Sequence, residues 1–454
     1  MDLFIKNSKM VYTPAGFRPI NIIIEDGKIR ELTTEIISEA YDKIIDASNK
    51  IIIPGIIDLH VHFYEGRENW FSGTSAAAGG GITTVFEQPF SEPPTLYPEA
   101  VFLKIKRAEK KALIDFGLHG GATPINLDQF GKLVESGLKT FKIFLPEVSY
   151  DFPGPSDDQE FLELLTNIRK VGGTALIHAE DRKMVEEGRK KAISKGLIKP
   201  RDFPAARPPM AEIEAVSRSL KLAKRAQCPI YFVHLSTGTA AHNIAIVKNK
   251  QPVYIETCPQ YLIFDETIFE EKGPYARVIP PMRPKAEVVK MWECLTMGVV
   301  DTIATDHVAY PKIGDIIIEK ERGRHNIFLA NNGIPGLETS LPLMLTEVNK
   351  KMLDIEHLIQ LMSINPAKIV GLYPKKGCIQ KGSDADLTII DLNRSAKITI
   401  DELHTMSGFS LYEGMEVQGV PEMTISRGLI VMENGYPGEI SINHKGHGKF
   451  LRIT

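Results

Sequence analysis

The stretch Ile-Ile-Asp-Leu-His-Val-His at residues 56–62 follows a Pro-Gly turn and is typical of a buried β-strand. Side chains of a strand point to alternate faces, so His60 and His62 project to the same side. Two imidazoles at this spacing can bind one metal ion. A bare His-x-His pattern also occurs by coincidence, so its meaning depends on the segments around it.

Around this strand, apolar runs of strand length alternate with amphipathic helical stretches from Pro54 to about Leu372. The alternation is typical of βα units in a parallel sheet. Eight units predict an α/β protein with a (β/α)₈ TIM-type barrel over residues 54–373. The predicted strands are 56–61, 83–87, 115–119, 140–145, 174–178, 230–234, 252–256 and 302–305.

The two ends of the chain have a different pattern of short strands and tight turns, as at Glu25-Asp26-Gly27. Neither residues 1–53 nor residues 374–454 are numerous enough to form a good core alone. We therefore expect both ends to build one small β domain, a β-sandwich, beside the barrel.

Three further polar residues stand where predicted barrel strands end: His178, His234 and Asp306. Barrel enzymes place their catalytic groups at this end of the strands. A single histidine there is more often a hydrogen-bonded core residue. Together with His60 and His62, however, the set predicts a shared site. Four imidazoles and one carboxylate suit Zn²⁺ better than Mg²⁺ or Ca²⁺.

Lys142 lies within the apolar strand Phe141-Lys142-Ile143-Phe144, where desolvation disfavours its charged form. Two interpretations stay open. The lysine reaches the rim of the barrel or pairs with an acid. Alternatively, its neutral amine reacts with CO₂, and the carbamate bridges two metal ions through its two oxygens.

The composition of the chain indicates which classes of partner and which cellular compartment to expect. The chain has 454 residues, a formal net charge of -3, and neither a signal peptide nor an apolar run of membrane-spanning length. We therefore expect no nucleic-acid and no membrane partner. Four scattered cysteines form no disulfide framework, which predicts a cytoplasmic location.

An ordered series of motifs resembles the cyclic amidohydrolases: allantoinases, hydantoinases or dihydropyrimidinases, and dihydroorotases. The resemblance covers nearly the whole chain. Its motifs are Ile53-Pro54-Gly55-Ile56-Ile57-Asp58-Leu59-His60-Val61-His62, Gly79-Gly80-Gly81-Ile82-Thr83-Thr84, Asn365-Pro366-Ala367-Lys368 and Gly382-Ser383-Asp384-Ala385-Asp386-Leu387.

The resemblance implies two divalent metal ions, which we expect to be zinc. It implies that one ion is bound by His60, His62 and Asp306, and the other by His178 and His234. Carboxylated Lys142 bridges both.

The implied reaction is hydrolysis of a C–N bond in a cyclic amide or ureide. A metal-bridging hydroxide is the nucleophile, and Asp306 is the general base and acid. A structural carboxylate is the alternative role for Asp306. Two other functions stay open: a single-metal deaminase, which needs no bridging Lys142, and a non-enzymatic scaffold such as the metal-free relatives of dihydropyrimidinase in animals.

Dihydroorotases carry an arginine two residues after the first histidine pair, where this chain has Tyr64. A phenol does not replace a bidentate guanidinium. Similarity to allantoinases at residues 66–70 and to hydantoinases at residues 256–262 and 332–338 favours a ureide ring such as allantoin or a hydantoin. Dihydroorotate hydrolysis is the alternative.

Five residues are candidates for holding this small-molecule substrate. Tyr64, Arg67 and His307 would hold its polar edges, and the hydantoinase resemblance suggests backbone contacts from Thr257 and Asn332. Each residue also has an alternative role. Tyr64 could be an aromatic residue of the rim, Arg67 a surface charge and His307 a support of the site. Thr257 and Asn332 could belong to ordinary loop packing. The family resemblance also suggests a homodimer or a homotetramer.

Overall fold

The computed structural model describes residues 2–35, 40–146, 151–314 and 316–453. Eight parallel strands form a closed barrel, as predicted. They are Ile56–Val61, Ile82–Glu87, Asp115–Leu118 continued by Gly120–Gly121, Thr140–Phe144, Thr174–His178, Ile230–Phe232, Val253–Thr257 and Thr302–Ile303. The backbone N–H of His62 donates to the carbonyl of His307 at 3.0 Å, which joins the eighth unit to the first strand.

Two barrel strands end two residues earlier than predicted. The sixth ends at Phe232 and the eighth at Ile303, before the polar residues His234 and Asp306. Both polar residues have a left-handed backbone, with φ of 38° and 51°. A left-handed residue cannot continue a strand, so these side chains stand on turns just beyond the sheet.

Helices surround the barrel and bury one face against it. In Asp158–Lys170 the cap Asp157 accepts hydrogen bonds from two backbone N–H groups, and the face with Phe161 and Leu165 is buried. The main helices are Trp70–Gly79, Pro98–Ala108, Phe130–Glu135, Asp158–Lys170, Arg182–Ser194, Pro209–Ala226, Gly238–Lys248, Lys285–Thr296 and Ser340–Asn349. Within the described residues, no helix combines the length and apolar character needed to cross a bilayer.

Short helical segments occupy the connections. The α-helical ones are Phe203–Ala206, Pro259–Ile263, Ile268–Glu271, Ile318–Glu321, Ile355–Ile359 and Asn365–Ile369. The 3₁₀ segments are Leu127–Gln129, Pro200–Asp202, Gly273–Ala276, Ile327–Leu329, Ile400–Glu402 and Ile442–His444. A π-helical turn covers Gln360–Ile364.

The two chain ends form a β-sandwich, which confirms the predicted fold class. Leu387–Lys397 pairs antiparallel with Ile51–Pro54, so strands from both ends share a seven-stranded sheet. Its strands, in order, are Glu439–Ile440, Leu429–Glu433, Glu416–Ser426, Leu387–Lys397, Ile51–Pro54, Met10–Thr13 and Gly16–Arg18. The second sheet contains Lys28–Thr33, Asn21–Glu25, Leu3–Lys6 and Lys43–Asp46. The exact domain limits, residues 54 and 373, stay a prediction.

Candidate metal centre and active site

A cavity of about 140 Å³ lies where the barrel strands end, and all six predicted metal ligands line it. Their side chains come from five different barrel strands or the turns that follow them, so only the closed barrel brings them together. The other lining residues are Tyr64, Arg67, Phe90, Phe144, Val278, Ile279, Val308, Tyr310, Asn332 and Gly333.

His60, His62 and Asp306 form the first group of candidate ligands. The Nε2 atoms of both histidines lie 3.1 Å from Asp306 Oδ1. One ligand atom from each of the three residues lies within 4.8 Å of the other two. Two imidazole nitrogens and a carboxylate oxygen at this spacing can bind one divalent ion.

His178 and His234 form the second group. His178 Nδ1 faces His234 Nε2 at 3.0 Å, and both rings are buried. The His234 ring centroid lies 5.2 Å from that of His60, so the two groups are neighbours. Burial lowers the pKa of both second-group histidines, which favours the neutral form that metal ligands require.

Lys142 is fully buried, and its Nζ has no hydrogen-bond partner. Its nearest aromatic contact is the ring of Phe144, with Nζ 4.8 Å from the centroid. Burial lowers the pKa of Lys142 to about 8, an effect that Asp306 and Glu256 partly oppose. The neutral amine is therefore more accessible than in an exposed lysine, and a neutral amine can form a carbamate.

Buried polar atoms without partners test whether these residues suit a metal. Such atoms are rare in native proteins because each one costs desolvation energy. The set of unpartnered buried atoms includes His62 Nδ1, Lys142 Nζ and His234 Nδ1. Nitrogen donors with one carboxylate are also the ligand chemistry of zinc. The residues therefore fit a metal centre.

Two buried carboxylates that sequence reasoning missed hold the histidines in place. Glu256 accepts from His60 Nδ1 at 2.7 Å and from the backbone N–H of His234 at 2.8 Å. Glu180 accepts from His178 Nε2 at 2.8 Å. Carboxylates behind ligating histidines fix the ring orientation and raise the basicity of the metal-binding nitrogen. Their positions in the sequence could have identified them, because Glu256 ends a predicted strand and Glu180 lies two residues beyond the end of another.

The comparisons with known proteins agree with this geometry. Residues 51–431 match the family model described as the amidohydrolase family. The chain belongs to the amidohydrolase family. The predicted resemblance is confirmed, and with it the prediction of a hydrolase that acts on carbon–nitrogen bonds of cyclic amides.

Named amidohydrolases match over the full length. An L-hydantoinase of Paenarthrobacter aurescens is 34% identical over 99% of this chain and 98% of its own. A dihydroorotase of Methanosarcina acetivorans is 36% identical over 99% of this chain and 95% of its own. The solved L-hydantoinase (dihydropyrimidinase) from Arthrobacter aurescens superposes with a TM-score of 0.94 at 34% identity, covering 99% of each chain.

Three of the five candidate substrate residues line the cavity of this amidohydrolase: Tyr64, Arg67 and Asn332. Thr257 and His307 are buried beside the cavity rather than among its lining residues. The Thr257 hydroxyl donates to the carbonyl of Leu235, and His307 faces Glu68 through Nε2. Contact of any of the five with substrate stays a prediction.

The apolar residues of the cavity wall were not identified from the sequence. Phe90, Val278 and Ile279 lie on connecting loops, where no motif marks them. Tyr310 is joined to Asn332 because its hydroxyl donates to the Asn332 carbonyl. The wall therefore combines apolar side chains with a few polar groups, which is typical of small-molecule sites.

Proposed function

We propose that this chain hydrolyses a C–N bond of a cyclic ureide at a binuclear metal centre. The observation that carries the proposal is the arrangement of two histidine groups around the unpartnered, buried Nζ of Lys142. A catalytic cavity lined by this set agrees with membership of the amidohydrolase family.

In this proposal His60, His62 and Asp306 would hold one ion, His178 and His234 would hold the other, and carboxylated Lys142 would be a ligand shared by both. The ions, expected to be zinc, supply Lewis acidity and lower the pKa of water at neutral pH. Glu256 and Glu180 keep the histidine rings oriented for binding.

Asp306 is the proposed proton carrier. Burial alone would raise its pKa, but the interactions with His60 and His62 hold the pKa of Asp306 well below its ordinary value. The carboxylate is therefore ionised and able to accept the proton of the attacking water. It then transfers that proton to the departing ring nitrogen, since cleavage of the C–N bond leaves an amide or ureide nitrogen that must be protonated.

The choice of ring rests on similarity. Relatives named L-hydantoinase and D-phenylhydantoinase support a five-membered ureide such as a hydantoin or allantoin. Dihydroorotate is the second candidate, favoured by the Methanosarcina relative. The apolar residues Phe90, Phe144 and Val308 in the cavity wall suit the carbon face of either ring.

The test is an activity panel of allantoin, hydantoin, dihydrouracil and dihydroorotate with zinc-loaded protein, together with metal analysis. We expect hydrolysis of at least one ring and two ions per chain. One ion per chain, with Lys142→Ala still active, would favour a single-metal deaminase. Purified protein that binds no metal and cleaves no ring would favour a scaffold.

A further inference from the structure

Arg67 presents an unpaired guanidinium to the cavity. The turn Tyr64-Glu65-Gly66-Arg67 is closed by a hydrogen bond from the Arg67 backbone N–H to the Tyr64 carbonyl at 3.0 Å, with Gly66 at φ 85°. The guanidinium lies over two rings, 5.5 Å from the Tyr64 centroid and 5.1 Å from that of Tyr310. In the described parts of the chain, it makes no hydrogen bond and no ion pair.

The acids nearest to Arg67 in sequence are engaged elsewhere. Glu65 pairs with Lys111 at 3.1 Å, and Glu68 faces His307 at 3.2 Å. Neither carboxylate is available as the counter-ion of Arg67. The charge on this half-buried residue is therefore not neutralised by its acidic neighbours in sequence.

Two other arginines near the site donate hydrogen bonds to the protein itself. Arg207 donates to Glu180 at 3.1 Å, behind the second histidine group. Arg277 donates to the carbonyls of Ile327 and Ala330. These two guanidinium groups have structural partners, whereas the one that lines the cavity has only aromatic faces. A partly desolvated cation of this kind is a site for an anion.

A second unpartnered group lies on the same wall. Asn332 Oδ1 is buried and accepts no hydrogen bond, although Asn332 lines the cavity. Tyr310 lies between the two residues, since its ring packs against Arg67 and its hydroxyl donates to the backbone carbonyl of Asn332. The wall thus offers one neutral amide and one cation, which match a ring N–H or C=O and a charged substituent.

We propose that Arg67 binds a carboxylate carried by the substrate ring, so that the preferred substrates are cyclic ureides with an anionic substituent. The inference rests on the proposed function and narrows its substrate class. A guanidinium can bind both oxygens of a carboxylate, and the two aromatic rings that flank Arg67 strengthen the pair by excluding water. The phenol of Tyr64, at the position where dihydroorotases have arginine, then flanks the guanidinium as a stacking partner.

The test uses matched pairs of rings that differ only in the acidic substituent: dihydrouracil with dihydroorotate, and hydantoin with 5-carboxymethylhydantoin. We expect kcat/KM to be on the order of 10- to 100-fold higher for the carboxylate member of at least one pair. Arg67→Gln should remove most of that preference, mainly through KM. Arg67→Lys should keep part of it, because lysine retains charge but not the bidentate geometry.

The matched control is Arg201→Gln, which removes an exposed arginine outside the cavity. It should leave the preference unchanged. Binding of each ring to Asp306→Asn protein, measured by calorimetry, gives a readout that needs no turnover. There too, Arg67→Gln should weaken the carboxylate member selectively.

Two outcomes would overturn the inference while the proposed function stands. The first is equal or better hydrolysis of the uncharged rings by the unaltered protein. The second is an equal loss for both members of each pair in Arg67→Gln. Failure to hydrolyse any ring, with two metals bound, would instead count against the proposed function. Circular dichroism of each variant shows whether a loss comes from misfolding.

Discussion

Two clusters of ligand-type side chains occupy opposite ends of the barrel strands, and they differ in how they are neutralised. In both, three side chains place a ligand atom within 4.8 Å of one another. The cavity cluster is His60, His62 and Asp306. The cluster at the other end, where the third strand begins, is Asp115, Asp384 and Asp386.

Cationic side chains of the protein neutralise the acidic cluster. Lys376 Nζ lies 2.7 Å from Asp115, 3.2 Å from Asp384 and 2.5 Å from Asp386. Arg427 adds a second cation, 2.9 Å from Asp115. Burial alone would lower the pKa of Lys376, but the facing carboxylates raise it above its ordinary range. The cluster therefore needs no added ion, and it joins the barrel to the β-sandwich.

In the cavity cluster, no lysine or arginine of the described residues plays this neutralising role. Lys142, which lines the same cavity, makes no ion pair with the described residues, and its Nζ and His62 Nδ1 are buried without hydrogen bonds. The comparison shows that a group of potential ligands indicates a metal only where protein cations do not already satisfy it. It also agrees with the general division of barrels into a catalytic end and a stabilising end.

Lys142→Ala should have the largest effect on the cavity cluster. Without the bridging carbamate, we expect metal content to fall below two ions per chain. Turnover should drop by roughly three powers of ten or more, because several kcal/mol of metal-derived stabilisation is lost. Metal analysis and steady-state kinetics measure both. An active variant with full metal content would show that Lys142 is a structural lysine like Lys376.

Asp306→Asn separates metal binding from proton transfer. The amide keeps the shape and one ligand oxygen of Asp306 but cannot accept the proton. We expect retained metal and a fall in kcat of roughly two to four powers of ten. Kinetics and metal analysis on the same preparation check this. Full activity would rule out the base assignment and leave Asp306 as a ligand only.

Lys376→Met should have the opposite pattern, with lost stability and retained chemistry. Removing the cation leaves three buried carboxylates without their shared partner, which we expect to cost about 3–5 kcal/mol. Urea unfolding gives the change, and kcat per folded molecule should stay near the original value. The matched control is Lys28→Met. Lys28 also pairs with Asp384, at 3.2 Å, but its side chain is 54% exposed, so its loss should cost less than about 1 kcal/mol.

Features that depend on local sequence patterns could be predicted from the sequence. Each barrel strand is a local apolar run, and His178 or Asp306 can be located at a strand end from that run alone. The alternation of strands and helices therefore predicted the barrel and the end at which its polar residues gather, whereas the role of Lys142 as a ligand came only from the family resemblance. The hairpin Met10–Thr13 to Gly16–Arg18 was missed because it is short and lacks a clear alternation.

Contacts between residues far apart in the chain could not be predicted this way. His60 and Glu256 are 196 residues apart, and Lys376 and Asp115 are 261 apart. Their pairing depends on how the strands close and on how the β-sandwich docks, which no local pattern contains. The position of the loop residue Val278 in the cavity wall could not be predicted from a local pattern either.

The smallest expected effect comes from Glu256→Gln, which alters the support of the cavity cluster without removing a proposed ligand. Glu256 accepts from His60 Nδ1 and the His234 backbone through Oε1, and from the Tyr231 hydroxyl at 2.7 Å through Oε2. Glutamine has one acceptor oxygen, so at least one of these donors would face an amide N–H. We expect a 10- to 100-fold loss of metal affinity or activity, the usual range for such supporting carboxylates. Zinc titration and kcat/KM measure it. A variant with unchanged zinc affinity but a stability loss like that of Lys376→Met would mean that Glu256 holds the barrel together and does not orient the metal centre.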